Sequence, residues 1–258
     1  MNYNEVLEKV VYWAKEVGEI QKKAFLEGEV SFNSKTTSID LVTIIDIESE
    51  KYIINQIKTN FPSHNILSEE SNPVENNSDY TWVIDPLDGT VNFAHKLPIF
   101  CVSIALKYKN EGVLGVIYVP CLDECFTAIK GMGAYLNGKK LCIREFEKFE
   151  NSLVATGFPY NRKTEKDNNL NYFNSMLTNV RGIRRTGAAA FDLACVAAGR
   201  LTGYWELGIK PWDMEAAAVM IRESGGDVIK IPNKRDVSIV AGSNKFCIEM
   251  LKVIENTK

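Results

Sequence analysis

Thr81-Trp82-Val83-Ile84-Asp85-Pro86-Leu87-Asp88-Gly89-Thr90-Val91-Asn92-Phe93 decides how this chain is read. The apolar run Trp82-Val83-Ile84 has the length and character of a buried strand end. It leads straight into two carboxylates, Asp85 and Asp88, placed around Pro86. The proline fixes its own φ and removes one N–H, which stiffens the backbone between them. Asp88-Gly89-Thr90 then turns the chain and offers bare N–H groups beside a hydroxyl. Two hard oxygen ligands on a rigid turn, next to a nest of N–H groups, can hold a divalent cation and a phosphate oxygen together. The same residues also suit a plain strand, an Asp-Gly turn and a helix cap. Carboxylates elsewhere in the chain must decide between the two.

Mg²⁺ takes near-octahedral oxygen coordination, and a pair of ions needs several carboxylates, one of them bridging. Upstream, Asn65-Ile66-Leu67-Ser68-Glu69-Glu70-Ser71 reads as a short apolar strand ending in two glutamates. Downstream, Pro211-Trp212-Asp213 opens an apolar segment, Met214 to Ile221, which reads as a helix stopped by Gly225-Gly226. Asp213 then falls at the helix N-terminus, where the dipole favours its ionised form. Taken singly, Asp213 is equally an N-cap, and Glu69-Glu70 a solvated turn.

Together these segments resemble the inositol monophosphatase family of Mg²⁺-dependent, lithium-sensitive phosphatases. The resemblance rests on Ser68-Glu69-Glu70-Ser71, Trp82 to Phe93, Trp212-Asp213 and Glu223-Ser224-Gly225-Gly226. It extends to Lys35, Asp40 to Asp46, Thr156-Gly157-Phe158-Pro159-Tyr160 and Arg184 to Ala190, in the family's order and spacing. The resemblance implies a two-lobed α+β fold, a five-layered αβαβα sandwich of the inositol monophosphatase and fructose-1,6-bisphosphatase kind, assembled as a homodimer. It implies two or three Mg²⁺ per site. Glu69, Asp85 and the carbonyl of Leu87 would hold the first ion, Asp85 would bridge, and Asp88 and Asp213 would complete the second. Glu69 and Lys35 fall near a third, weaker position. Thr90, with Asp46 behind it, matches the catalytic pair that orients and helps deprotonate the attacking water. Gly89 and Thr90 N–H groups would face the phosphate, and Gly187, Ala188 and Glu206 the alcohol half of the substrate.

The resemblance further implies hydrolysis of inositol 1-phosphate. A broader sugar-phosphate phosphatase, taking fructose 1,6-bisphosphate or NADP, is the alternative, with Arg184 and Arg185 as candidates for a second phosphate. Some bacterial relatives also act as partners of the transcription machinery, which leaves that role open here. Two departures stand out. Met214-Glu215-Ala216-Ala217-Ala218 replaces the usual small residues after the aspartate, placing a charge at Glu215 that either faces solvent or tunes the second ion. Ala217 stands where glycine is usual, implying slightly looser helix packing.

The whole chain sets bounds. Its 258 residues, 45% hydrophobic, can bury a substantial core. A net charge of −3 argues against a protein built to bind nucleic acid. Six cysteines, at 101, 121, 125, 142, 195 and 247, lack a disulfide framework, and two histidines, His64 and His95, are too few to make Cys121-x3-Cys125 a zinc site. No leader opens the chain and no apolar run nears the roughly 18 residues of a membrane span. The expectation is a cytoplasmic protein with a small phosphate monoester as partner, and neither membrane nor nucleic acid.

Periodicity predicts amphipathic helices over 4–27 and 43–60, and a polar loop from Gly28 to Ser38. From Ile99 to Ile143 the pattern is an antiparallel meander turning at Lys109-Asn110, Gly131 and Asn137-Gly138. Charged residues Arg144 to Glu150 mark the boundary between an N-terminal α+β lobe, 1–143, carrying most proposed ligands, and a C-terminal α/β lobe, 151–258, carrying Asp213. In the second half strands near 152–157, 182–186, 202–207, 227–231 and 237–241 alternate with helices near 165–179, 188–199, after Pro211 and over 244–256. The site is expected in the cleft between the halves.

Overall fold

The computed structural model describes residues 1–28, 32–34, 41–232, 234 and 237–257, with backbone alone for 32–34, 41 and 42. Lys35, Asp40 and most of the 28–38 loop lie outside the described residues. Helix α1 (Tyr3–Glu27) buries Val6, Val10, Trp13, Ala14 and Val17, one face at helical spacing. Strands β1 (Phe32–Ser34) and β2 (Leu41–Thr43) pair antiparallel and lead into α2 (Ile44–Asn60). Thr43 and Asp46 close that helix start as a reciprocal capping box.

Strands β3 (Asn65–Ser68), β4 (Tyr80–Asp88), β5 (Cys101–Tyr108), β6 (Glu111–Val119), β7 (Glu124–Ile129), β8 (Gly133–Leu136) and β9 (Lys139–Lys140) form a seven-stranded sheet in that order. β3 runs parallel to β4 and every later pair is antiparallel, so the expected meander is present. Its turns fall at Lys109-Asn110, with φ of 49° and 66°, at Gly131, and at Asn137-Gly138. β4 reaches past Pro86 to Asp88, further than the apolar run alone indicates, and short α3 (Thr90–Ala94) follows.

A second sheet contains β10 (Leu153–Thr156), β11 (Gly182–Arg184), β12 (Gly203–Ile209), β13 (Asp227–Lys230) and β14 (Val237–Gly242), ordered β11-β10-β12-β14-β13. Between its strands lie α4 (Leu170–Leu177), α5 (Ala189–Ala197) and α6 (Pro211–Glu223), and α7 (Asn244–Asn256) ends the described fold. Helix α4 is shorter than the pattern over 165–179 predicts. Asn169 adopts a left-handed conformation, φ 75°, and the helix starts only after it.

The elements stack in five layers, α-β-α-β-α, held mainly by three large apolar clusters among the described residues. Side chains of α1 and α2 pack on one face of the first sheet, with Trp82 and Ile84 of β4. The opposite face, carrying Val83, meets α5 and α6, which also cover the second sheet. Helix α7 and Tyr172 and Met176 of α4 close the far side. Period-two alternation therefore buries both faces of β4, which explains its unbroken apolar run. Residues 190–197 of α5 are all buried, as a helix apolar on every side requires. Gly115 of β6 lets α6 come close, because a Cβ there would run into the Ala216 carbonyl. Among the described residues no helix is long and apolar enough to cross a membrane.

Candidate active site

The C-terminal end of β4, the end of β3, and the first turns of α5 and α6 converge on one cavity of about 300 Å³. Glu69, Asp85, Leu87, Asp88, Gly89, Thr90, Gly187, Ala188, Glu206 and Asp213 all line it. Asp46 stands directly behind Thr90, whose Oγ1 lies 2.9 Å from Asp46 Oδ1 and 3.1 Å from the Leu87 carbonyl. One hydroxyl proton serves those two acceptors. Asp46 is fixed in turn by the Thr43 N–H at 2.8 Å and the Thr43 hydroxyl. The candidates for the metal, the attacking water and the substrate contacts are therefore brought together, although residues 46 and 213 are far apart in sequence.

Three of the acids accept backbone N–H groups. Asp85 accepts the Leu87 N–H at 3.0 Å across the proline turn. Asp88 accepts the Ala190 N–H at 2.8 Å and the Ala189 N–H at 3.2 Å, so it caps α5 from a different part of the chain. Nothing in the sequence around Ala188 supplies that cap, and the helix N-cap residue makes no side-chain bond of its own. Asp213 lies in the first turn of α6, just after Pro211, and accepts the Lys210 N–H at 3.2 Å. Gly89 adopts φ +93°, and a Cβ there would approach the Ile99 carbonyl to 2.9 Å. Only glycine fits this turn without strain.

The electrostatics are those of crowded buried acids. Burial first, then the charges of Glu69, Asp88 and Asp213, hold the Asp85 carboxyl well above the usual carboxylate range. Burial raises Asp88 to about 6, against the opposing hydrogen bonds from Ala190, Cys101 and Ala189. Asp213 is raised well above its ordinary value by burial and by Asp88 and Glu69. Among the described residues no three acidic, His or Cys side chains already stand together at metal-ligand spacing. The chemistry of the donors nonetheless fits a hard divalent cation: the carboxylates and the main-chain carbonyl present oxygen only, and like charges resist ionisation until a cation joins them.

Glu206, Tyr204, Asp192 and Arg185 also line the cavity. Glu206 accepts the Tyr204 hydroxyl proton, and burial raises its carboxyl to about 7. Arg185 lines the cavity, whereas the Arg184 guanidinium turns to the Ile183 carbonyl at 3.1 Å. Glu215 does not face the acids. It pairs with Lys107 of β5 at 2.9 Å.

Sequence reading missed two buried polar groups here. Asn92 donates from Nδ2 to the Ile99 carbonyl at 2.7 Å and the Thr186 carbonyl at 2.8 Å, joining the Asp88-Gly89-Thr90 turn to the Gly187 turn. Asp192, 2% exposed, is raised to about 7 by burial, and its Oδ1 has no hydrogen-bond partner. The available signal was an acid inside the otherwise apolar stretch Ala188 to Ala198.

A five-layered α+β sandwich with an oxygen-lined acidic pocket between its sheets is the architecture of the layered phosphatase folds. Within that class the chain belongs to the inositol monophosphatase family, whose model matches residues 2–256. It is 42% identical over 235 residues to the Nus factor SuhB of Pseudomonas aeruginosa, covering 88% of this chain and 86% of that protein. It is 39% identical over 231 residues to an inositol monophosphatase of Dictyostelium discoideum, covering 88% and 85%. The solved inositol monophosphatase of Anabaena matches with a TM-score of 0.89 and 33% identity, over 100% of this chain and 98% of that one.

Proposed function

We propose that this chain is a Mg²⁺-dependent phosphatase that hydrolyses a phosphate monoester, inositol 1-phosphate, to the free alcohol and phosphate. The observation that carries the reading is the crowding of Asp85, Asp88 and Asp213 around a Thr90 hydroxyl backed by Asp46. Segments 1–143 and 151–258 are proposed as two lobes sharing the site, in a cytoplasmic homodimer.

In this reading Glu69, Asp85 and the Leu87 carbonyl would hold one ion, and Asp85, Asp88 and Asp213 would hold a second, with a third near Glu69. Bound ions supply a lowered water pKa and neutralise charge on the phosphoryl and leaving oxygens. Thr90 orients the attacking water through Oγ1, and Asp46 holds the hydroxyl proton so that the Thr90 oxygen can accept one from water. The N–H groups of Gly89 and Thr90 face the phosphoryl oxygens. Gly187 and Ala188 border the leaving alcohol, and Glu206 accepts from its hydroxyls. Water attacks phosphorus in line and the P–O bond to the alcohol breaks, so no covalent phospho-enzyme is needed.

Phosphate release by the purified protein with Mg²⁺ tests this, comparing inositol 1-phosphate with fructose 1,6-bisphosphate, NADP and 3′-phosphoadenosine phosphate. A preference of about tenfold for inositol 1-phosphate, ~1.4 kcal/mol at the transition state, is expected. Comparable rates on the bisphosphate or NADP favour the broader phosphatase, for which Arg185 in the cavity is the supporting feature. The Nus factor name of the Pseudomonas relative supports a second role as a partner of the transcription machinery. A pull-down with purified RNA polymerase tests that role, and absence of binding removes it.

A further inference from the structure

The Thr156-Gly157-Phe158-Pro159-Tyr160 stretch carries no assigned role in the chemistry above, yet Gly157 and Glu206 are in direct contact. A Cβ built on Gly157 would come within 2.6 Å of Glu206 Oε2 and closer still to the rest of that carboxyl. The carboxylate therefore occupies the space that any larger residue would fill.

A single buried side chain ties the backbone on both sides of this contact. Asn169, fully buried, donates from Nδ2 to Thr156 Oγ1 at 2.8 Å and to the Gly157 carbonyl at 2.6 Å. Its Oδ1 accepts the Trp205 indole N–H at 2.7 Å, so both amide protons and the oxygen are used. Thr156 Oγ1 donates to the Trp205 carbonyl at 2.7 Å, closing the ring between β10 and β12. Trp205 and Gly157 are the neighbours of Glu206 in chain and in space. A satisfied buried network of this kind holds one geometry, and breaking it orphans several groups at once.

We propose that Gly157 and Asn169 are positioning residues for a hydroxyl-reading subsite: they set the Glu206 carboxylate where it accepts hydrogen bonds from a leaving polyol. This rests on the phosphatase reading, in which Glu206 meets the substrate hydroxyls, and deepens it by naming the residues that hold that carboxylate in place. The phosphate end of the cavity, around Asp88 and Thr90, does not depend on the network.

The test compares kcat and KM for inositol 1-phosphate and for p-nitrophenyl phosphate, an aryl ester without hydroxyls, with Mg²⁺ present. Gly157→Ala is expected to lower kcat/KM on inositol 1-phosphate by about tenfold, mainly through KM, and to leave the aryl ester nearly unchanged. Adding Gly157→Ala to Glu206→Gln should cost nothing further on inositol 1-phosphate, since both act on one contact. Asn169→Asp keeps the acceptor for Trp205 and removes the two donors; it should move selectivity in the same direction and carries the test if Gly157→Ala fails to fold. Equal losses on both esters, or no loss on either, in a folded variant overturn the inference and leave the phosphatase reading intact. A wild-type protein that hydrolyses neither ester overturns that reading and the inference with it.

Discussion

Replacing Asp192 by Asn removes the titration of a group that is 2% exposed and half-satisfied while nearly keeping its shape, and the pH dependence can be worked from its surroundings. Burial raises this carboxyl from 3.8 to about 7, opposed by Thr186 and reinforced by the charges of Asp88 and Glu206. Between those two values the folded protein holds a proton that the unfolded chain has released. The stability that Asp192 contributes is thus fully present below about 3.8 and is lost as pH rises through about 7. Asn is neutral throughout. From pH 5 to pH 8.5 the wild type crosses about two units of this window, which at 1.36 kcal/mol per unit is about 3 kcal/mol. At 2–4 °C per kcal/mol for a chain of this size, the variant should gain roughly 6–12 °C on the wild type over that range. The assay is thermal unfolding of both proteins in EDTA at pH 5 and pH 8.5. A melting difference that is the same at both pH values refutes the buried-charge argument, and so does a variant that loses ground at pH 8.5.

Asp88→Asn should lower phosphate release roughly hundredfold or more, because a proposed ion ligand loses its charge, while circular dichroism stays that of the wild type; near-normal turnover would remove Asp88 from the proposed ligand set. Gly89→Ala forces a side chain into φ +93° against the Ile99 carbonyl and should cost about 1–3 kcal/mol in urea unfolding; an unchanged midpoint would contradict the strain. His64 accepts the Trp82 indole N–H at 3.1 Å, and burial lowers its pKa from 6.5. Because the unfolded chain takes up that proton first, the wild type should lose stability as pH falls below 6.5. His64→Phe orphans the indole at a cost of about 1–3 kcal/mol near pH 7.5, a deficit that should shrink at pH 5.5; a deficit independent of pH would exclude the histidine as its source.

The acids were legible because metal chemistry demands oxygen ligands on rigid turns, and Asp85-Pro86-Leu87-Asp88-Gly89-Thr90 writes such a turn contiguously. The strands and the central helices were legible from periodicity, or from its absence where burial is complete, as in α5. What stayed hidden is contact between distant segments. Asn169 looks like any asparagine in the polar run Asp167-Asn168-Asn169, yet its side chain enters the core, which is why α4 begins at Leu170 and not near 165. The cap that Asp88 gives α5 is likewise invisible, since capping signals are sought next to the helix and not a hundred residues away. Glu215 was legible as a departure, but its meaning lies in Lys107, on another strand.

That last pair bears on how the site is kept in register. Asp213 reaches the cavity from α6, whereas Asp85 and Asp88 sit on β4, so their mutual position depends on how α6 seats against the first sheet. The seat has a steric part and an ionic part. Gly112 and Gly115 of β6 leave no side chain between strand and helix: a Cβ on the first would meet Val219 Cγ2 at 2.8 Å, and on the second the Ala216 backbone. Small side chains at Ala216, Ala217 and Ala218, all buried, complete a close approach in spite of the alanine at 217. Such packing fixes the distance between the layers but only weakly opposes sliding along the strand. The Lys107–Glu215 pair, with side chains 19% and 17% exposed, joins β5 to α6 two residues from Asp213 and opposes that sliding. A partly buried pair gains little net stability over an apolar one, so removing both charges together should cost less than removing either alone. The extra charge beside the proposed ligand is therefore neutralised by Lys107 and lies outside the lining of the acidic cavity.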